Sequence, residues 1–291
     1  MNDWGRLITA MATPMKEDHK IDFDATARLA RQLVKEGTTA ILVAGTTGEG
    51  PTVTADEKME LFRLVKKETN VPVIAGVGTN NTTTTIENCL AAEACGVDGL
   101  LVVVPFYNKP NQASLYAHFQ AVEQTVHSPI MLYNVPGRTG TNMSAETTIR
   151  LSKLPKITAV KEASGNLSQM TEILCGVDPE FRVYTGEDAQ TLASLSIGAY
   201  GVVSVASQIA GPQMDEMIKS YLKGDVEKAA ALHQKLYPLF NDLFMTANPI
   251  PVKAALNLRG FGSSQLRLPL TAASSEVIAT MKKDMKNLGV L

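Results

Sequence analysis

The sequence predicts an α/β protein, a (β/α)8 TIM barrel with a small C-terminal helical segment, and three observations carry that prediction. Short apolar runs alternate with amphipathic stretches from residue 7 to residue 222, and there are eight of each. Each apolar run leads into an amphipathic one, which is the order of a barrel. No G-x-G-x-x-G follows the first run, so the fingerprint of the alternative, an open doubly wound sheet, is missing.

The runs at 7–13, 40–44, 71–77, 99–104, 129–133, 157–161, 181–185 and 201–205 are expected strands. They are short, rich in Val and Ile, and almost unbroken in apolar character, as parallel strands covered on both faces must be. Helical patterns occupy 24–36, 55–69, 83–95, 111–126, 144–153, 166–176, 187–197 and 211–222. Thr54 and Ser144 each precede an acidic first turn and read as N-caps. Beyond residue 225 the strands stop. Helices are expected at 226–246, 250–258 and 271–288, broken at NPIP (248–251) and GFGSSQLRLP (260–269). The division drawn from this is a barrel over 1–224 and a helical domain over 225–291.

Composition narrows the function. The 291 residues exceed the roughly 250 of a typical barrel. Net charge is 27 − 29 = −2, which gives no electrostatic case for nucleic acid or an anionic membrane. No apolar run approaches the ~18 residues of a membrane span. The start, MNDWGRLITAMATP, lacks a basic region followed by an apolar one, so a cytoplasmic protein is expected. Cys89, Cys95 and Cys175 are odd in number and contain no CxxC, which fits a reducing compartment. His19, His118, His127 and His233 show no metal-ligand spacing, so a metal is not expected.

In a barrel of this kind the active site lies at the C-terminal ends of the strands. There the sequence gathers GTTGEG (45–50), PFYNKP (105–110), YNVPGRTG (133–140), KEASGN (161–166) and TGED (185–188). Lys161 is the most informative residue. It ends an apolar strand, where strand alternation points it inward. A lysine amine attacks a ketone only when unprotonated, and an apolar setting disfavours the ammonium. The resulting protonated imine draws electrons from the adjacent carbon and permits loss of its proton. A lysine at a rim can instead snorkel to water. Tyr133 ends the neighbouring strand, where a phenol can shuttle protons or simply be a rim tyrosine. GTTGE offers two hydroxyls and backbone N–H groups before a helix, a cradle for a carboxylate. Arg138 can grip a carboxylate bidentately, although loop arginines are commonly solvated. Glu49 and Asp188 read as network carboxylates, and Lys253, in the helical tail, as structural.

GTTGE at 45–49, YNVPGRTG at 133–140, AVKEASGNL at 159–167 and TGED at 185–188 occur in order over essentially the whole chain. Each is weak alone. As a set they resemble the dihydrodipicolinate synthase and N-acetylneuraminate lyase superfamily. Arg138 and Tyr107 resemble its synthase branch, because the lyases lack this arginine after Y-N-x-P. The resemblance implies a lyase of the class I aldolase type. Such an enzyme condenses pyruvate with L-aspartate 4-semialdehyde to 4-hydroxy-tetrahydrodipicolinate, the first committed step of diaminopimelate and lysine biosynthesis. It implies that Lys161 forms a Schiff base with pyruvate, and that Thr47 with nearby amides holds the pyruvate carboxylate. Tyr133, Thr46 and Tyr107 would form a proton relay, with Tyr107 supplied across a subunit interface. Arg138 would bind the aldehyde's carboxylate, while Gly186 and Val203 line the pyruvate pocket. It further implies a homotetramer built as a dimer of dimers, with no metal and no dissociable cofactor.

At positions matching the inhibitory lysine pocket of some synthases, this chain has Ala55, Lys58, Thr84 and Phe106, with Asn80 retained. Thr84 replaces the carboxylate that a lysine ammonium needs, and Lys58 adds a like charge. Feedback inhibition by L-lysine is therefore expected to be weak or absent. Two other readings compete: a pyruvate-dependent aldolase or lyase acting on a sugar acid or sialic acid, and a non-catalytic barrel that senses a keto acid. Arg138 and Tyr107 argue against the first, and the complete lysine–tyrosine–threonine set argues against the second.

Overall fold

The computed structural model describes residues 3–291. Eight parallel strands follow one another in sequence order around a closed barrel. They are β1 (Leu7–Ala10), β2 (Ala40–Val43), β3 (Val73–Gly76), β4 (Gly99–Val103), β5 (Ile130–Asn134), β6 (Ile157–Glu162), β7 (Arg182–Thr185) and β8 (Gly201–Ser204). Each lies within an expected run or extends it by one residue. Their side chains are almost all buried, which explains why the runs carry no polar alternation.

The helices are α1 (Phe23–Lys35), α2 (Ala55–Glu68), α3 (Thr82–Glu93), α4 (Gln112–Thr125), α5 (Pro136–Thr139), α6 (Ala145–Leu151), α7 (Leu167–Gly176), α8 (Thr191–Ser196), α9 (Ser207–Leu222), α10 (Val226–Asp242), α11 (Ile250–Leu258) and α12 (Ser275–Leu288). The expected caps are present. The Thr54 hydroxyl accepts from the Glu57 amide while the Glu57 carboxylate accepts from the Thr54 amide, a full capping box. Ser144 accepts from the Thr147 amide. No helix among the described residues is long and apolar enough to cross a membrane.

Two features escaped the periodicity. The segment PGRT forms a single helical turn, α5, inside what reads as a Gly/Pro loop. Helix α9 begins at Ser207 rather than 211, because two helical pieces join at Ala210, whose φ and ψ are −127° and 42°. Pro212 lies just past that kink, where its missing N–H costs the second piece little.

The chain divides into two compact units. One holds Ile74–Val203 with Asp3, and the other holds Trp4–Val73 and Ser204–Leu291. In the first, β5 and β6 pair with Tyr133 opposite Lys161 and Asn134 opposite Glu162, after a register shift at Ile130/Met131. Lys161 stands opposite Tyr184 on the other side. In the second unit, α9 packs on β1, α10 and α11, and α12 packs on α10 and α11. The buried Gln208 carboxamide ties α9 to the first strand, donating to the Ala10 carbonyl at 3.0 Å and accepting from the Ala12 amide at 2.8 Å. Arg259, which follows α11, pairs with Glu36 and donates to the Gln208 carbonyl at 2.7 Å. The C-terminal helices are thus pinned to β1 and α1 by buried and half-buried polar groups as well as by apolar contact.

Candidate active site

Lys161 is 6% exposed at the end of β6, and its Nζ lies 4.4 Å from the centre of the Tyr133 ring. The pair is adjacent because strand register makes it so. Tyr133 and Lys161 are directly opposed on neighbouring parallel strands, and both side chains point the same way. Lys161 has little room to rotate. A Cβ on Gly186 would come within 2.8 Å of the Lys161 Cε and 2.6 Å of the Ala163 Cβ, so residue 186 must be glycine for the lysine stem to lie where it does. Val203 is fully buried on β8.

Glu187, which the motif TGED contains but which the sequence reading did not single out, stands in the field of this lysine. Burial raises its carboxyl pKa above the ordinary value. The positive charge of Lys161 opposes the rise, Asp188 adds to it, and Arg138 opposes it again. Glu187 thus lies within the electrostatic reach of both Lys161 and Arg138. Its signal in the sequence was weak, since an acidic pair after a strand is common on loop surfaces.

Arg138 sits on α5, exposed to solvent. The turn is fastened on both sides: the Arg138 amide donates to the Val135 carbonyl at 2.9 Å, and the Tyr107 amide reaches the Thr139 carbonyl at 3.3 Å. Tyr107 itself is 88% exposed, with φ at 74°. Its phenol stands in solvent, and none of the described residues encloses it.

Thr46 and Thr47 belong to the other unit, in the turn after β2. The turn closes through the Glu49 amide to the Thr46 carbonyl at 3.1 Å and the Gly50 amide to the Gly45 carbonyl at 3.0 Å. Gly50 is obligatory, since a Cβ there would lie 2.3 Å from the Ala44 carbonyl oxygen. The buried Thr47 oxygen accepts a hydrogen bond from Asn248 Nδ2 at 2.9 Å. Because that oxygen is already an acceptor, its own proton is left to be donated, which is what an anionic ligand requires. Asn248 was missed by sequence reasoning: NPIP read only as a break between helices. Glu49 is buried and ion-paired to buried Lys253 at 2.5 Å, so both expected structural roles meet in one contact. Among the described residues no cluster of three or more His, Cys, Asp or Glu side chains is placed to hold a metal.

The chain matches the model of the dihydrodipicolinate synthetase family over residues 3–288. A 4-hydroxy-tetrahydrodipicolinate synthase of Thermosynechococcus vestitus is 49% identical over 294 aligned positions, covering 100% of this chain and 99% of that one. Among solved structures, a dihydrodipicolinate synthase of Cyanidioschyzon merolae with lysine bound superposes with a TM-score of 0.97 at 46% identity, covering 99% of both chains. A monomeric dihydrodipicolinate synthase variant superposes with a TM-score of 0.96 at 40% identity, covering 99% of this chain and 98% of that one.

Proposed function

The chain belongs to the dihydrodipicolinate synthetase family, and from that premise we propose that it condenses pyruvate with L-aspartate 4-semialdehyde to give 4-hydroxy-tetrahydrodipicolinate. The single observation that best supports a Schiff-base route in this chain is the buried Lys161 amine held against the Tyr133 ring. In the proposed sequence the neutral amine adds to the ketone of pyruvate, and water leaves as the imine forms. Tyr133, Thr46 and Tyr107 pass the protons, while Thr47 and the amides of its turn receive the pyruvate carboxylate. Loss of a methyl proton gives the enamine, which adds to the aldehyde, and Arg138 grips the aldehyde's carboxylate. The substrate's own amine then displaces Lys161, closing the ring and freeing the enzyme. Gly186 and Val203 line the pyruvate pocket.

The exposed Tyr107 supports a relay completed by a second subunit, so the proposal includes a homo-oligomer, a tetramer built as a dimer of dimers. A cytoplasmic setting belongs to the same proposal and is supported by three free cysteines. The reading as a sugar-acid or sialic-acid aldolase is not favoured, because the relatives bearing the synthase name match along the whole chain.

Turnover decides the substrate. Purified protein given pyruvate and L-aspartate 4-semialdehyde, coupled to a reductase that consumes the cyclic product, is expected to oxidise the reductant. Activity with N-acetylneuraminate and none with the semialdehyde would sink the proposal. The same assay tests regulation. With Lys58 and Thr84 at the positions discussed above, millimolar L-lysine is expected to leave the rate nearly unchanged. Strong inhibition there would show that another set of groups holds the ammonium.

A further inference from the structure

The carboxylate of Glu162, next to the proposed nucleophile, is 1% exposed and bound by hydrogen-bond donors. Asn134 Nδ2 reaches its two oxygens at 3.1 and 3.0 Å, the Ser164 amide at 2.8 Å, and Gln169 Nε2 at 3.2 Å. The network then closes on itself. Asn134 Nδ2 also donates to Asn142 Oδ1 at 2.8 Å, and Asn142 Nδ2 donates to Gln169 Oε1 at 2.8 Å. Asn134 Oδ1 accepts from the Met143 amide at 2.9 Å. Asn134 enters the α5 turn that carries Arg138, and Asn142 with Met143 leaves it. The same residues therefore stitch β5 to β6 behind Tyr133 and Lys161 and clamp both ends of the Arg138 turn.

Resting on the function proposed above, we infer that Glu162 is a positioning residue that couples the Schiff-base strand to the Arg138 turn and so sets affinity for the acceptor's carboxylate. Only an anion suits this place, because every group facing it donates. A glutamine puts an NH2 against Asn134 Nδ2, whichever way its amide is turned. Relief requires Asn134 to flip, and a flipped Asn134 no longer accepts from Met143. The disturbance is thereby delivered to the segment that closes the Arg138 turn, while Lys161 keeps its place on β6.

The test compares wild type, E162Q, E162Q/N134D and N142A by steady-state kinetics and by borohydride trapping of pyruvate. E162Q is expected to raise KM for L-aspartate 4-semialdehyde about tenfold, with KM for pyruvate within about twofold and the trapped adduct retained. N134D in the double variant restores an acceptor both for Met143 and for the amide introduced at position 162, but gives up the donor to Asn142, and is expected to recover part of that loss. N142A, at an exposed residue, opens the ring without touching the buried charge and should raise the semialdehyde KM by about threefold. It carries the test alone should E162Q fail to fold. Unchanged semialdehyde KM in both E162Q and N142A, or in N142A alone if E162Q does not fold, would overturn the inference. An equal rise in both KM values would overturn it too, by making the effect one of general disorder. Failure of the wild type to use the semialdehyde would instead refute the function on which the inference rests.

Discussion

Lys161→Met is expected to abolish the borohydride-trapped pyruvate adduct and to lower kcat/KM by at least about a thousandfold, with no loss of thermal stability. Methionine keeps the length of the stem that packs beside Gly186 and deletes only the amine. The Nζ rests 4.4 Å from the Tyr133 ring centre and the side chain is 6% exposed. Removing a buried amine relieves a desolvation cost, so an unchanged or slightly higher Tm is expected. Intact-protein mass after reduction, with peptide mapping, reads the adduct, and differential scanning reads the fold. Two lysines, Lys161 and Lys253, are buried among the described residues. They are told apart by their partners. Lys253 is locked to Glu49 as half of a buried ion pair, so its amine is taken up by a carboxylate, whereas the Lys161 amine lies against the Tyr133 ring. An adduct that persists in Lys161→Met would move the chemistry to a surface lysine and end the Schiff-base reading of this site.

How far the sequence foretold this site depended on the kind of signal each residue left. Lys161 and Tyr133 were legible because a polar side chain at the end of an unbroken apolar strand has few places to go, and parallel register then sets the two strand ends side by side. The strand positions were legible for the same reason: burial on both faces leaves an apolar run whose ends are sharp. Asn134, Asn142 and Gln169 were not. Each is an ordinary polar residue, and only the closed ring of hydrogen bonds around Glu162 shows that they act together. Periodicity also missed α5, since a single turn with Pro at its start and Gly at its end has the composition of a loop. It placed the start of α9 late because Gly211 and Pro212 look like a boundary, whereas here they mark a kink between two helical pieces. Glu187 was hidden differently: its position in TGED was plain, but its meaning lies in the charges it faces.

The Glu49–Lys253 pair carries the largest expected effect on stability. Both side chains are 2% exposed, and the carboxylate has two partners, Lys253 Nζ at 2.5 Å and the Arg267 amide at 3.0 Å. Burial pushes the Lys253 pKa down from its ordinary value, and the charge of Glu49 pushes back. Arg267 cannot take over from Lys253, because its guanidinium is engaged by Glu57 at 2.6 Å, by the Thr52 carbonyl at 2.9 Å and by the His19 carbonyl at 3.1 Å. Lys253→Met therefore strands a buried carboxylate on one backbone N–H, and breaking such a pair from one side costs roughly 3–5 kcal/mol. In a chain of this size that corresponds to a fall in Tm of about 10 °C. The double variant Glu49→Gln with Lys253→Met removes both charges, so it is expected to be more stable than Lys253→Met alone by about 2 kcal/mol. Urea denaturation of the four proteins in the cycle measures both quantities. The position of Glu49 makes the result bear on function as well. Glu49 closes the turn that carries Thr46 and Thr47, with its own φ at 55°, so a carboxylate released from Lys253 draws that turn toward solvent. The folded fraction of Lys253→Met should then show a raised KM for pyruvate, as expected if the Thr47 turn holds its carboxylate. A Lys253→Met protein as stable as wild type would show that the pair does not carry the stability assigned to it, and it would no longer account for how the threonine turn is held.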